Sequence, residues 1–153
     1  MAEDLDELDR KILRALQADA TPPLDALAAK VGSSKTPVWN RIKKLKAKGV
    51  IKREVAVLDP EAVGLDSCFF ITVKTNRHDP EWLTDFMRAI QESPEIMEAH
   101  RLAGEIDYIL KVRVENAKAF DAFYKRLIDH VSIYSVTSSL SMEEMKSTTE
   151  LAF

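Results

Sequence analysis

Between Ser33 and Arg53 the chain carries eight cations (Lys35, Arg41, Lys43, Lys44, Lys46, Lys48, Lys52 and Arg53) and no Asp or Glu. The same stretch has the end marks of a helix. Ser34 is placed to cap its start through a hydroxyl. Pro37 falls in the first turn, where its missing N–H has no intrahelical partner to lose. Gly49 stands where a left-handed residue closes a helix. Val38, Ile42 and Leu45 recur at helical spacing as one narrow apolar stripe. Thr36, Asn40, Lys43 and Lys44 project from the opposite side, and Trp39 and Arg41 flank the stripe. Such a helix can bury only one edge, and its lysines repel one another without acidic partners one turn away. A polyanion relieves that repulsion, and duplex DNA is one. The alternative is a solvated surface helix, which is what most charge runs are.

The whole chain of 153 residues has a net charge of −3, which by itself gives no reason to expect nucleic acid. The two parts differ. Residues 1–60 hold 12 Lys+Arg against 9 Asp+Glu, and residues 61–153 hold 10 against 16. Opposite charge in two segments points to two jobs. The single cysteine, Cys68, lies in an apolar run and has no partner for an internal disulfide, which fits a reducing, cytoplasmic setting. No signal peptide is visible, and no apolar run approaches the ~18 residues of a membrane span, so no membrane partner is expected.

In chain order, Asp4 with Glu7 reads as a capping box for a first helix with Leu5, Leu8, Ile12, Leu13 and Leu16 on its apolar face. Asp19 to Pro23 breaks it. A short second helix presents Leu24, Leu27, Ala28 and Val31, and Gly32-Ser33 turns into the basic helix. The three spell helix-turn-helix. Val50 to Leu58 reads as extended, a wing or an edge strand, and Asp59-Pro60 closes the first part. The second part alternates. Strands are expected at Cys68–Lys74, Ile96–Leu102, Tyr108–Val114 and Ile133–Met142. Asp79-Pro80 starts one helix, with stripe Leu83, Phe86, Met87 and Ile90. Asn116 caps another, with Phe120, Phe123, Tyr124, Leu127 and Ile128. This βαββαβ order is the ferredoxin-like split βαβ, with helices on one side of a sheet. Its other face includes Phe70 and is a candidate self-association surface. The tail from Glu143 to Phe153 is expected to add a short strand.

Ser34-Lys35-Thr36-Pro37-Val38-Trp39-Asn40-Arg41-Ile42-Lys43-Lys44-Leu45, followed by Gly49-Val50-Ile51, resembles the reading helix of the Lrp/AsnC, or feast/famine, transcription regulators. Leu102-Ala103-Gly104-Glu105-Ile106-Asp107-Tyr108 looks like the turn between the middle strands of that family's regulatory domain. Phe123 to Leu127 and Val136 to Ser139 also fit. The likeness spans almost the whole chain and is nearest to the DecR-like branch. It departs at Pro23, where a capping Ser is usual, and at Ser33, where a Leu is usual. The resemblance implies an α+β chain: a winged helix-turn-helix DNA-binding domain with linker strand at 1–60, and a ligand-sensing, oligomerising ferredoxin-like (RAM) domain at 61–153. It also implies homodimers that assemble further, often into octameric rings, and a small effector, usually an amino acid, bound between dimers.

On that reading the basic helix enters a major groove of double-stranded DNA with its N-terminal end first. Thr36 and Asn40 are expected at base edges, since an Asn amide can pair with adenine; for Asn40 the alternative is a solvated amide. Lys35, Arg41, Lys43 and Lys44 are expected on phosphates, with Ser34 or the helix N-terminal amides holding another. Trp39 is expected to pack against the domain. For the effector, Gly104 between Ala103 and Glu105 offers bare backbone amides. Asp107 can face an ammonium, and Thr137, Ser138 and Ser139 can donate hydroxyl bonds. Read from spacing alone, Gly104 only turns a hairpin and Asp107 only caps it. An enzyme is not expected, nor a cofactor or metal: His78, His100 and His130 lack metal-ligand spacing, Cys68 reads as core, and Glu143-Glu144 has no partner chemistry. The remaining rival is an amino-acid-binding module that acts on a protein partner, which has no need of an acid-free basic helix.

Overall fold

The computed structural model describes residues 4–77 and 79–153, so His78, for which no metal-ligand role is expected, lies outside the described residues. The chain divides into two units. One runs up to Val57 and also takes in Lys146–Phe153; the other is Leu58–Met145. By contacts within the chain, the boundary lies at 57/58 and Lys146–Phe153 group with the first unit.

That first unit contains α1 (Glu7–Ala18), α2 (Leu24–Val31) and α3 (Lys35–Ala47). The box that starts α1 is built by Asp6 and Asp9, not by Asp4 and Glu7: the Asp9 N–H donates to Asp6 at 2.9 Å, and the Asp6 N–H donates back to Asp9. Pro23 precedes α2 without a side-chain cap. Gly32 ends α2 at φ 72°, and Gly49 follows α3 at the same φ. After α3 the Gly49 N–H bonds Lys46 and the Val50 N–H bonds Leu45, both at 3.0 Å, a Schellman closure that only a left-handed residue permits. Ile12, Leu13, Leu27, Ala28, Val31, Val38, Ile42 and Leu45 fill the core between the helices. Residues 52–59 carry neither helix nor strand, and Val55 and Val57 are exposed, so the expected wing or edge strand forms no ladder among the described residues.

In the second unit the elements are β1 (Ser67–Lys74), α4 (Pro80–Glu92), β2 (Ile96–Arg101), β3 (Tyr108–Val114), α5 (Ala117–His130) and β4 (Ser135–Leu140). The sheet order is β2-β3-β1-β4, antiparallel throughout, which is the ferredoxin-like arrangement. Ile71 pairs with Leu110 on one side and Ser138 on the other, and this register sets both faces. Phe69, Ile71, Val73, Leu110, Val112 and Val114 turn toward the helices and meet Trp82, Phe86, Phe123 and Leu127. By the same alternation Phe70, Thr72, Lys74, Lys111, Arg113, Thr137 and Ser139 share the helix-free face.

Two expectations shift here. The buried stripe of α4 is Trp82, Phe86 and Ala89, whereas Leu83 and Met87 are 40% and 44% exposed. The Trp82 ring stacks on Phe86 at 4.9 Å and donates its N–H to the Ser132 carbonyl at 2.7 Å. Burying that larger ring rolls the helix away from Leu83 and Met87. The tail forms no strand. Instead the Ser141 N–H bonds the carbonyl of buried Cys68 at 2.8 Å and Glu144 reaches Arg113 of the helix-free face at 3.3 Å.

Candidate functional site

In α3 the apolar stripe decides which side chains remain available. Val38, Ile42 and Leu45 are buried. Thr36, Asn40, Lys43 and Lys44 lie on the far side and are exposed. Ser34 occupies the N-cap position, but its side chain makes no capping bond, so its hydroxyl and the first amides of α3 stay accessible. No acidic side chain stands in that first turn to use the positive end of the helix dipole.

The cations of α3 are not equivalent. Arg41 turns toward α1, where its Nη1 meets Asp6 and also Asp9 at 3.1 Å. Asp9 is buried, and its Oδ1 makes no hydrogen bond among the described residues, so Arg41 is the cation that neutralises it. The Asp9 N–H, and after it the Arg41 guanidinium, hold the Asp6 carboxyl below the usual carboxylate range; in return the carboxylates, Asp6 foremost, push the Arg41 guanidinium up. Lys35 pairs with Asp25 of α2 at 3.0 Å, and Lys46 with Glu54 at 2.8 Å. Lys43 sits 5.7 Å from the Trp39 ring centre, and Trp39 is 49% exposed rather than packed into the domain as expected, because the stripe is too narrow to cover it. Lys43 and Lys44 make no ion pair with the described residues.

On the second unit, Thr72, Lys74, Glu105, Ile106, Ser135 and Thr137 line a depression of about 270 Å³. The Lys74 ammonium meets Glu105 at 2.7 Å and holds the Glu105 carboxyl below its ordinary range. A side chain added at Gly104 would meet nothing within 4 Å, so the backbone there is open to approach. Ala103 is exposed in the same turn. Of the expected effector residues, the structure brings Glu105 and Thr137 together here, with Ser139 further along the same face. Ser138 points to the opposite face, as strand alternation requires. Asp107 does not line the depression. Its carboxylate accepts from the Thr75 N–H at 2.8 Å, and its carbonyl accepts from the Leu102 N–H at 2.8 Å, so it pins the β2–β3 turn to the end of β1. Thr72, Lys74 and Ser135 were missed by sequence reasoning, although Thr72 and Lys74 share the parity of Phe70 along β1 and alternation alone could have found them. A larger depression of about 400 Å³ runs from Tyr124 and Ile128 to Val136, but no charged side chain lines it.

Family profiles match both units. The AsnC-type helix-turn-helix domain matches residues 5–46, and the Lrp/AsnC ligand binding domain matches residues 68–151. The chain belongs to the Lrp/AsnC family. It is therefore a DNA-binding transcriptional regulator of the Lrp/AsnC type, and the relatives it matches are regulators rather than enzymes. It is 45% identical to the DNA-binding transcriptional activator DecR of Escherichia coli K12, over 96% of this chain and 97% of that one. An AsnC family transcriptional regulator from Agrobacterium tumefaciens superposes with a TM-score of 0.93 at 47% identity, covering 97% of both chains. A Neisseria meningitidis regulator solved as its L-Met complex superposes at 0.92, with 32% identity and the same coverage. Among the described residues no helix is long and apolar enough to cross a membrane.

Proposed function

We propose that this Lrp/AsnC regulator reads duplex DNA with the outer side of α3 and that a free amino acid, bound at the Lys74–Glu105 depression, governs that reading. The observation that carries the first half is the sorting of α3: one side is core, its edges are held by Asp6, Asp9 and Asp25, and the remaining side presents the hydroxyl of Thr36, the amide of Asn40 and the ammonium groups of Lys43 and Lys44 with no acidic group among them. Thr36 and Asn40 serve base edges, and Lys43 and Lys44 serve phosphates. Ser34 and the α3 amides hold a phosphate at the helix start. Arg41 and Lys35, first expected on phosphates, act instead as positioning residues that seat α3 on α1 and α2.

The second half rests on charge complementarity. An amino acid carries one carboxylate and one ammonium, and the depression holds one ammonium, Lys74, and one carboxylate, Glu105, already paired. A zwitterion that inserts between them satisfies both, with Thr72, Ser135 and Thr137 hydroxyls at its sides and the Gly104 backbone open in front. Glu105 takes the ammonium-binding role first expected of Asp107. The Neisseria relative's L-Met complex supports an amino acid as the class of ligand. The exposed Val55–Val57 stretch and the Phe70 face supply apolar surface for homodimers and for their assembly toward an octamer in the cytoplasm.

Titrating the full-length protein calorimetrically with each of the common amino acids, beside Lys74→Met and Glu105→Gln, tests the site. Binding by the wild type that both substitutions abolish is the expected result. Equal binding in all three moves the effector elsewhere. The rival reading, action on a protein partner, requires that DNA affinity be insensitive to Lys43→Ala and Lys44→Ala.

A further inference from the structure

The outer stripe of α1 is occupied by the far end of the chain. Arg10, Arg14 and Gln17 stand at spacings of four and three, so they lie in one row on the helix surface, opposite the fully buried Ile12. Gln17 uses both halves of its amide on one residue: its Nε2 donates to the Leu151 carbonyl at 3.1 Å, and its Oε1 accepts from the Leu151 N–H at 2.7 Å. This is the bond pattern with which a β-strand reads its neighbour, made here by a side chain. Two residues on, the Phe153 ring lies under both guanidinium groups, 5.9 Å from Arg10 and 5.8 Å from Arg14. Arg14 also donates to the Phe153 carbonyl through Nε at 3.1 Å and through Nη2. Exposure reports the same docking. Met142 and Met145 are 89% and 90% exposed, whereas Phe153, in an equally irregular stretch, is 37% exposed.

We propose that Arg10, Arg14 and Gln17 form a peptide-docking surface whose occupant is the segment Glu150–Phe153 of the same chain. It recognises an extended backbone at one position and an aromatic ring two residues later. Gln17 reads backbone only and tolerates any residue at 151. The arginine pair reads the negative face of a ring and therefore requires Phe, Tyr or Trp at 153. Each contact is solvent-exposed and weak alone, so docking depends on the covalent tether, which keeps the segment at high effective concentration. The DNA-binding unit is thereby completed by residues that follow the sensor unit in sequence.

Hydrogen exchange on the full-length protein, read by NMR at the Leu151 amide, tests this. In the wild type that amide is expected to exchange at least about tenfold more slowly than in a free peptide of residues 146–153. Gln17→Ala is expected to return it to the free-peptide rate while α1 amides at Ile12 and Leu13 stay protected, because Gln17 lies outside the core. Phe153→Tyr is expected to keep the protection and Phe153→Leu to lose most of it. A wild-type Leu151 amide that exchanges like the free peptide overturns the proposal. So does protection that survives Gln17→Ala or Phe153→Leu unchanged.

Discussion

Replacing the cations of α3 one at a time separates those that meet DNA from those that hold the domain together. Each phosphate neutralised by a cation contributes about 0.9 to the slope of log affinity against log salt. Lys44 is exposed on the far side of α3 and unpaired among the described residues, so Lys44→Ala should flatten the slope by about 0.9 for every half-site engaged. Across a tenfold change in salt that is a factor of about eight in affinity per contact. Lys43→Ala should do the same. Arg41→Ala should not, because Asp6 and Asp9 already take that charge. What Arg41→Ala removes is the cation facing buried Asp9, so the N-terminal unit melts earlier. The assay is fluorescence anisotropy with specific and random duplexes at four or five salt concentrations, paired with a thermal melt of each variant. An Arg41→Ala slope change as large as that of Lys44→Ala, at temperatures where the variant is folded, would refute the division of labour. So would a Lys44→Ala slope equal to the wild type's.

Three further outcomes can be checked. Asp6→Asn keeps a capping oxygen but removes the charge paired with Arg41. Because the folded Asp6 carboxyl lies below its ordinary value of about 3.9, the stability it adds is full above that value and lost as pH falls through the folded one. The melting gap between wild type and Asp6→Asn should therefore be open at neutral pH and close in acid; a gap constant with pH contradicts the pairing. Amino-acid affinity should fall as pH drops through the depressed Glu105 value, since a protonated carboxyl no longer pairs with an ammonium, and the fall should be absent in Glu105→Gln. Phe86→Ala empties a fully buried site in the second unit and should cost about 3–5 kcal/mol. Chemical denaturation should show that loss in the sheet unit, while α1 to α3 keep their helical signal; a matching loss in both units would show that they do not melt separately.

Much of the fold was legible because it rests on short-range signals. The Asp79-Pro80 start of α4, the Asn116 cap of α5 and the Gly49 closure of α3 each involve atoms within a few residues. The inward set Tyr108, Leu110, Val112 and Val114 follows from alternation and nothing else. So does the side of α3 that bears Thr36, Asn40, Lys43 and Lys44. Periodicity failed on α4: Trp82 takes the buried stripe in place of Leu83 and Met87, because its ring buries more surface and finds an acceptor at Ser132. Pairing was the other failure. Arg41 reads as one more cation in an acid-free run until packing brings Asp9, 32 residues away, within 3.1 Å. Lys74 and Glu105, 31 residues apart, form a site only because the β2–β3 turn reaches the end of β1. Except at Val50–Leu58 and in the tail, where expected strands do not form, the chain alone thus determined which segments become helix or strand and which faces of α3 and of the sheet are apolar, since those depend on neighbours along the backbone. Which charges are spent inside the protein and which remain for a ligand was decided only by the tertiary structure, because ion pairing depends on distance in space.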